Sequence, residues 1–177
     1  GAARDRLGRA AGQGAMLAYA PLHLAGYAQP TMEEIRNFRQ LNSPCAGHPE
    51  NFELAGVETT TGPLGQGLAT AVGMAIAERH LNAIYGDDLV DHRTWVIAGA
   101  GCLLEGINHE AIGLAGHLRL VRLILPWVDH HITLDGPTHL SSSAHVQAPY
   151  PAPRRHLHSC DPPPTPPIPP PTPPAPP

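Results

Sequence analysis

The feature that most constrains the fold is one run from Thr94 to Trp127. Thr94-Trp95-Val96-Ile97-Ala98 is β-branched, aromatic and apolar, which suits a short strand. It leads straight into Gly99-Ala100-Gly101, and a helix is predicted from about Gly106 to His117. Leu120–Trp127 is then a near-continuous apolar run, the pattern of a strand covered on both faces. Strand, glycine turn, helix, strand is one βαβ unit, so the chain is expected to be α/β, a parallel sheet flanked by helices.

Upstream, a first helix is predicted from Met16 to about Gly26, with Pro21 awkward in its interior. Thr31-Met32-Glu33-Glu34 reads as a capping box, opening a helix expected to reach Leu41. Residues 42–63 are broken by Pro44, Gly47, Pro49, Gly56, Gly62 and Pro63, and loops of that length are usually functional. From Leu64 to Tyr85 the stripe Leu68, Val72, Ala75, Ile76 and Ala83 predicts a helix, with Gly86 as its stop. Gly67, Ala69, Ala71, Gly73 and Ala75 on that helix would allow close approach of another element. Residues 1–15, rich in Gly, Ala and Arg, carry no legible element.

Of the 22 prolines, 16 follow Gly136. Two regions are therefore expected: 1–136, with nearly all the apolar sequence, and a Pro-rich tail, 137–177, that cannot bury a core and should be disordered or polyproline II. The net charge of −4 gives no nucleic-acid footprint. Three widely spaced cysteines without a C-x-x-C argue against a disulfide framework or structural zinc. No apolar signal-peptide core opens the sequence, and no run approaches the ~20 apolar residues of a membrane span. A cytoplasmic location is the expectation.

The central segment carries a recognisable signature. Gly47-His48-Pro49-Glu50, then Gly56-Val57-Glu58-Thr59-Thr60-Thr61-Gly62-Pro63-Leu64-Gly65-Gln66-Gly67, closely resembles that of transketolases. Asn37–Leu41, Gly73–Glu78 and Gly101-Cys102-Leu103-Leu104-Glu105-Gly106-Ile107 match as well, in order and spacing over roughly residues 4–136. The resemblance implies part of a thiamine-diphosphate-binding fold and transfer of a two-carbon ketol unit between sugar phosphates, in the pentose phosphate pathway, with Mg²⁺ as the bridging cation. It implies a substrate-facing role for His48, a dimer-interface role for Glu105 linking two cofactor sites, and backbone contacts from Gly62, Pro63 and Leu64 to the aminopyrimidine ring. Gly99 and Gly101 would let backbone amides approach the diphosphate, with a helix N-terminus behind them.

Three departures fall on the chemistry. The family's G-D-G aspartate, a cation ligand, is Ala100. The amide ligand expected about thirty residues on is His130, after the intact spacing of 28 residues from Gly101; imidazole suits magnesium poorly. The remaining implied metal contact is the backbone carbonyl of Ile132. In the segment the family writes G-H-G-S, Gln13 stands at the histidine position and cannot carry a proton at neutral pH.

The resemblance further implies pieces outside this sequence: an earlier segment with another histidine, more sheet strands, and a pyrimidine-binding domain that activates the cofactor. Activity would then need a homodimer or a chain supplying that domain. Three readings follow: a fragment without independent activity, a subunit of a split transketolase, or a non-catalytic interaction protein that caps a transketolase protomer or presents its Pro-rich tail.

Overall fold

A computed structural model describes residues 4–128, 132–133, 136–140 and 142. The expected strand is β2, Thr94–Gly99, at the centre of a parallel sheet. On one side it pairs with β1, Arg6–Arg9, in the register Arg6↔Thr94 to Arg9↔Ile97. On the other it pairs with β3, Leu123–Ile124, and β4, Trp127–Val128. A separate antiparallel pair joins β5, Ile132–Thr133, to β6, Gly136–Pro137. The parallel α/β class expected from the βαβ pattern is therefore present.

The helices are α1, Met16–Leu24, α2, Met32–Arg36, α3, Gln66–Tyr85, α4, Ala100–Leu103, and α5, Gly106–His117. Gly86 ends α3 as expected, its N–H donating to the Asn82 carbonyl. Helix α3 packs on β1, β2 and α5. The resulting core comprises Ala10, Leu68, Ala71, Val96, Ala98, Cys102, Leu103 and Ile112. Its small residues bring backbones close, most of all at Gly67, where an added Cβ would overlap the Arg9 carbonyl. Gly73, on the same helix, faces open space.

Four expectations need correction. Strand β1 lies in the segment that carried no legible element. With one apolar residue in Arg6-Leu7-Gly8-Arg9 it has no pattern of its own; it is held by its neighbours. The Asp5 carboxylate accepts from Arg93 N–H at 2.8 Å and the Trp95 indole at 3.2 Å, pinning β1 to β2. Helix α2 stops at Arg36, not Leu41, because Arg39 and Asn42 take positive φ (63° and 62°) and Arg39 N–H donates to the Cys45 carbonyl at 2.9 Å. The apolar run 120–127 is two short strands split at Leu125-Pro126. It is half-buried or exposed throughout, because it lies beside β2 with no further strand outside it among the described residues. Helix α4 is too short for any periodicity to announce it. The Pro-rich segment, apart from 137–140 and 142, falls outside the described residues.

A second core organises the long loop. Ala15, Ala18, Tyr19, Cys45, Leu54 and Val57 pack together, with Phe38 edge-on to Tyr19 at 6.0 Å between ring centroids. The Tyr19 hydroxyl donates to the Ala46 carbonyl at 2.7 Å, and burial pushes its pKa up to about 12. A loop without regular structure is thus ordered by an α1 side chain, since a buried hydroxyl must keep its partner.

The capping box at Thr31 is complete. Glu34 N–H donates to the Thr31 hydroxyl at 3.2 Å, and Thr31 N–H donates to the Glu34 carboxylate at 2.6 Å. That backbone bond, helped by the Thr31 and Gln29 side chains, holds the Glu34 carboxyl below the usual carboxylate range. A depressed folded-state pKa gives stability that is complete above the ordinary Glu range and is lost as pH falls through the lowered value. Thr31→Ala is expected to cost about 1 kcal/mol at neutral pH. In thermal melts, the gap between the native chain and Glu34→Gln should close on acidification; a pH-independent gap counts against the box.

Candidate functional site

The signature residues converge from three elements. The loop histidine His48 lays its ring against two glycines: a Cβ on Gly12 or on Gly62 would run into the imidazole. Gly12 opens a 3-10 turn, Gly12–Gly14, that also holds Gln13. The His48 segment is strapped to the strand-like stretch before Gly62. Thr61 N–H donates to the Pro49 carbonyl at 3.2 Å. The Thr60 hydroxyl accepts from Asn51 N–H at 3.0 Å and donates to Glu50 at 3.2 Å. Pro49 is buried and His48 is exposed, so the imidazole rests on the two glycines while remaining accessible to solvent.

Gly62-Pro63-Leu64-Gly65 then turns into α3. Pro63 is exposed and Leu64 rests against the main core. Gly65 has φ +85° at the helix N-cap, a conformation that favours glycine, and its N–H donates to the Ala10 carbonyl at 3.3 Å. A Cβ at Gly65 would press on Glu105, Ile107 and Asn108 at 3.0–3.1 Å. Glu105 is itself the N-cap of α5 and is exposed. Asn108 is fully buried; its amide donates to the Cys102 carbonyl, and its Oδ1 has no partner among the described residues. Asn108 carries no motif and is found only in the structure, and the contact of Gly12 with His48 is likewise a tertiary feature. An Asn inside an amphipathic helix, facing the apolar stripe, was the available signal for the first.

At the C-terminal end of β2, Gly99 is the N-cap of α4 and no side chain caps its first turn. Amides at such a turn suit an anion's oxygens. Ala100 is the first helical residue and only 2% exposed, so its methyl group is packed into protein. Helix α4 lies against β5, which carries Ile132. The structure thus brings the Ala100 and Ile132 positions into one neighbourhood. His130 lies outside the described residues. A magnesium ion needs oxygen ligands, and the methyl group at Ala100 offers none. Among the described residues no group of three or more His, Cys, Asp or Glu could hold a metal ion. The turn at Gly99 offers uncapped backbone amides, and among the described residues the Ala100 position offers no oxygen ligand to a cation.

Gly62→Ala should displace the His48 ring. The expected result is a shift of the His48 imidazole proton resonances, with exposed His80 unchanged. Unmoved His48 signals would mean the slot is not what seats the ring.

The chain matches the family model described as transketolase, thiamine diphosphate binding domain, over residues 2–161. It is 59% identical over 158 residues to the transketolase of Cereibacter sphaeroides, covering 89% of this chain and 24% of that protein. The solved transketolase from Leishmania mexicana superposes with a TM-score of 0.77 at 50% identity, covering 82% of this chain and 22% of that one. A Pichia stipitis transketolase in complex with sedoheptulose 7-phosphate gives 0.77 at 44% identity, with the same coverage. The chain spans about a quarter of the length of the relatives it matches. No helix among the described residues is long and apolar enough to cross a membrane.

Proposed function

This chain belongs to the transketolase family, and from that footing we propose that it forms the diphosphate-gripping part of a two-part thiamine-diphosphate site whose cation grip is lost. The observation that carries this reading is the buried methyl group of Ala100 beside an intact glycine turn. The backbone that receives a diphosphate is retained, and the carboxylate that would hold Mg²⁺ there is gone. His130 in place of an amide weakens the same ligand set, leaving the Ile132 carbonyl as its unaltered member.

The remaining roles follow the family pattern. His48, resting on Gly12 and Gly62 and accessible to solvent, meets the oxygens of a sugar phosphate. Gln13, next to Gly12 in the chain, can hydrogen-bond but moves no proton at neutral pH. Gly62, Pro63 and Leu64 offer backbone to the aminopyrimidine ring, and Gly99 and Gly101 offer amides to the diphosphate. Glu105 meets a second subunit. Ketol transfer between sugar phosphates, as in the pentose phosphate pathway, then needs a pyrimidine-binding domain, from the rest of a homodimer or from a partner chain. By itself the segment is proposed to be inactive.

Calorimetric titration with thiamine diphosphate, in Mg²⁺ and in chelator, tests the reading. The expected result is weak binding that the metal does not tighten. Tight, Mg²⁺-dependent binding sinks the claim that Ala100 disables the site.

A further inference from the structure

One cavity holds a buried cation that the site described above does not use. Arg9, the last residue of β1, is 6% exposed, and its Nε has no hydrogen-bond partner among the described residues. A buried guanidinium without a counter-charge is costly, and arginine does not escape by losing its proton. Burial lowers the Arg9 pKa, and among the described residues no carboxylate forms an ion pair with it. Arg9 lines a cavity of about 230 Å³ between β1, α1 and residues 56–61. Of the charged residues in its wall, Glu58 is already engaged by Arg4 at 2.7 Å and by Arg6. Arg4 and Arg9 in the wall, with Arg6 beside it, outnumber Glu58, so the cavity is electropositive. Much of the remaining wall is apolar, including Leu22, Tyr27 and Met74.

We propose that this cavity binds a small aliphatic monocarboxylate, with its head on the Arg9 guanidinium and its apolar body against Leu22, Tyr27 and Met74. The electropositive wall favours an anion, and its apolar part favours one with a carbon body over a bare ion such as phosphate. The planar guanidinium is the side chain best matched to a carboxylate.

The test uses the full chain, ¹⁵N-labelled at arginine, titrated with sodium butyrate, 1-butanol and inorganic phosphate. The Arg9 Nε–H resonance, assigned from its loss in Arg9→Lys, should shift saturably with butyrate at millimolar concentrations. Arg9→Met should weaken butyrate binding about tenfold or more, as expected for losing a charge-assisted contact. 1-Butanol, which has the same body without charge, should bind far more weakly. Equal butyrate affinity in Arg9→Met overturns the proposal, as does a shift confined to other arginines. Phosphate binding as tight as butyrate overturns the carboxylate assignment. If Arg9→Met does not fold, the native titration decides alone: a saturable Arg9 shift supports the site, and no shift refutes it.

Discussion

Ala100→Asp is expected to create Mg²⁺-dependent binding of thiamine diphosphate where the native chain has almost none, with an affinity gain of roughly 100-fold. Outer-shell changes at metal sites cost about 10–100-fold, and a directly coordinating carboxylate should matter at least as much. The gain should come with a cost in chelator. Position 100 is 2% exposed, and a carboxylate buried there without its cation is destabilising. The variant should therefore melt below the native chain in chelator and regain stability when Mg²⁺ and thiamine diphosphate are added together, by mass action. A native chain and variant with equal Mg²⁺ dependence would show that the missing carboxylate is not the defect. Adding His130→Asn should raise the affinity further, since an amide oxygen suits magnesium better than imidazole.

The second large effect is steric. Gly67→Ala is expected to destabilise the fold by about 3 kcal/mol, the upper range for overpacking a closed site. The added methyl group would overlap the Arg9 carbonyl, which is backbone and cannot rotate aside. Helix α3 and strand β1 would have to separate, opening the Ala10–Leu68 contact and the Gly65–Ala10 hydrogen bond that seats the Gly62–Gly65 turn. Gly73→Ala is the control. It lies on the same helix facing open space, so it should stabilise by roughly 0.5–1 kcal/mol through helix propensity alone. Urea denaturation of the two variants measures both. Equal stabilities would mean that α3 and β1 do not pack as tightly as described.

What could be read from residues alone was local or carried by motif. The helix 66–85 was legible from its stripe and Gly86, strand 94–99 from its β-branched run, and the capping box from Thr31 and Glu34. Ala100 could be singled out because the flanking glycines survive around it. The sequence by itself therefore determined the parallel α/β class, the order of those elements that carry a pattern and the family resemblance, since periodicity, caps and spacing are written in neighbouring residues. Only the tertiary structure decided that Arg6–Arg9 is a strand, that α2 stops at Arg36, that His48 rests on Gly12 and Gly62, and that Arg9 is a buried cation beside a cavity. Each of these depends on partners outside the segment itself: Asp5 on Trp95, Arg39 on Cys45, His48 on two glycines, Gly67 on Arg9. Pairing free energy of that kind has no periodic trace in the segment it shapes.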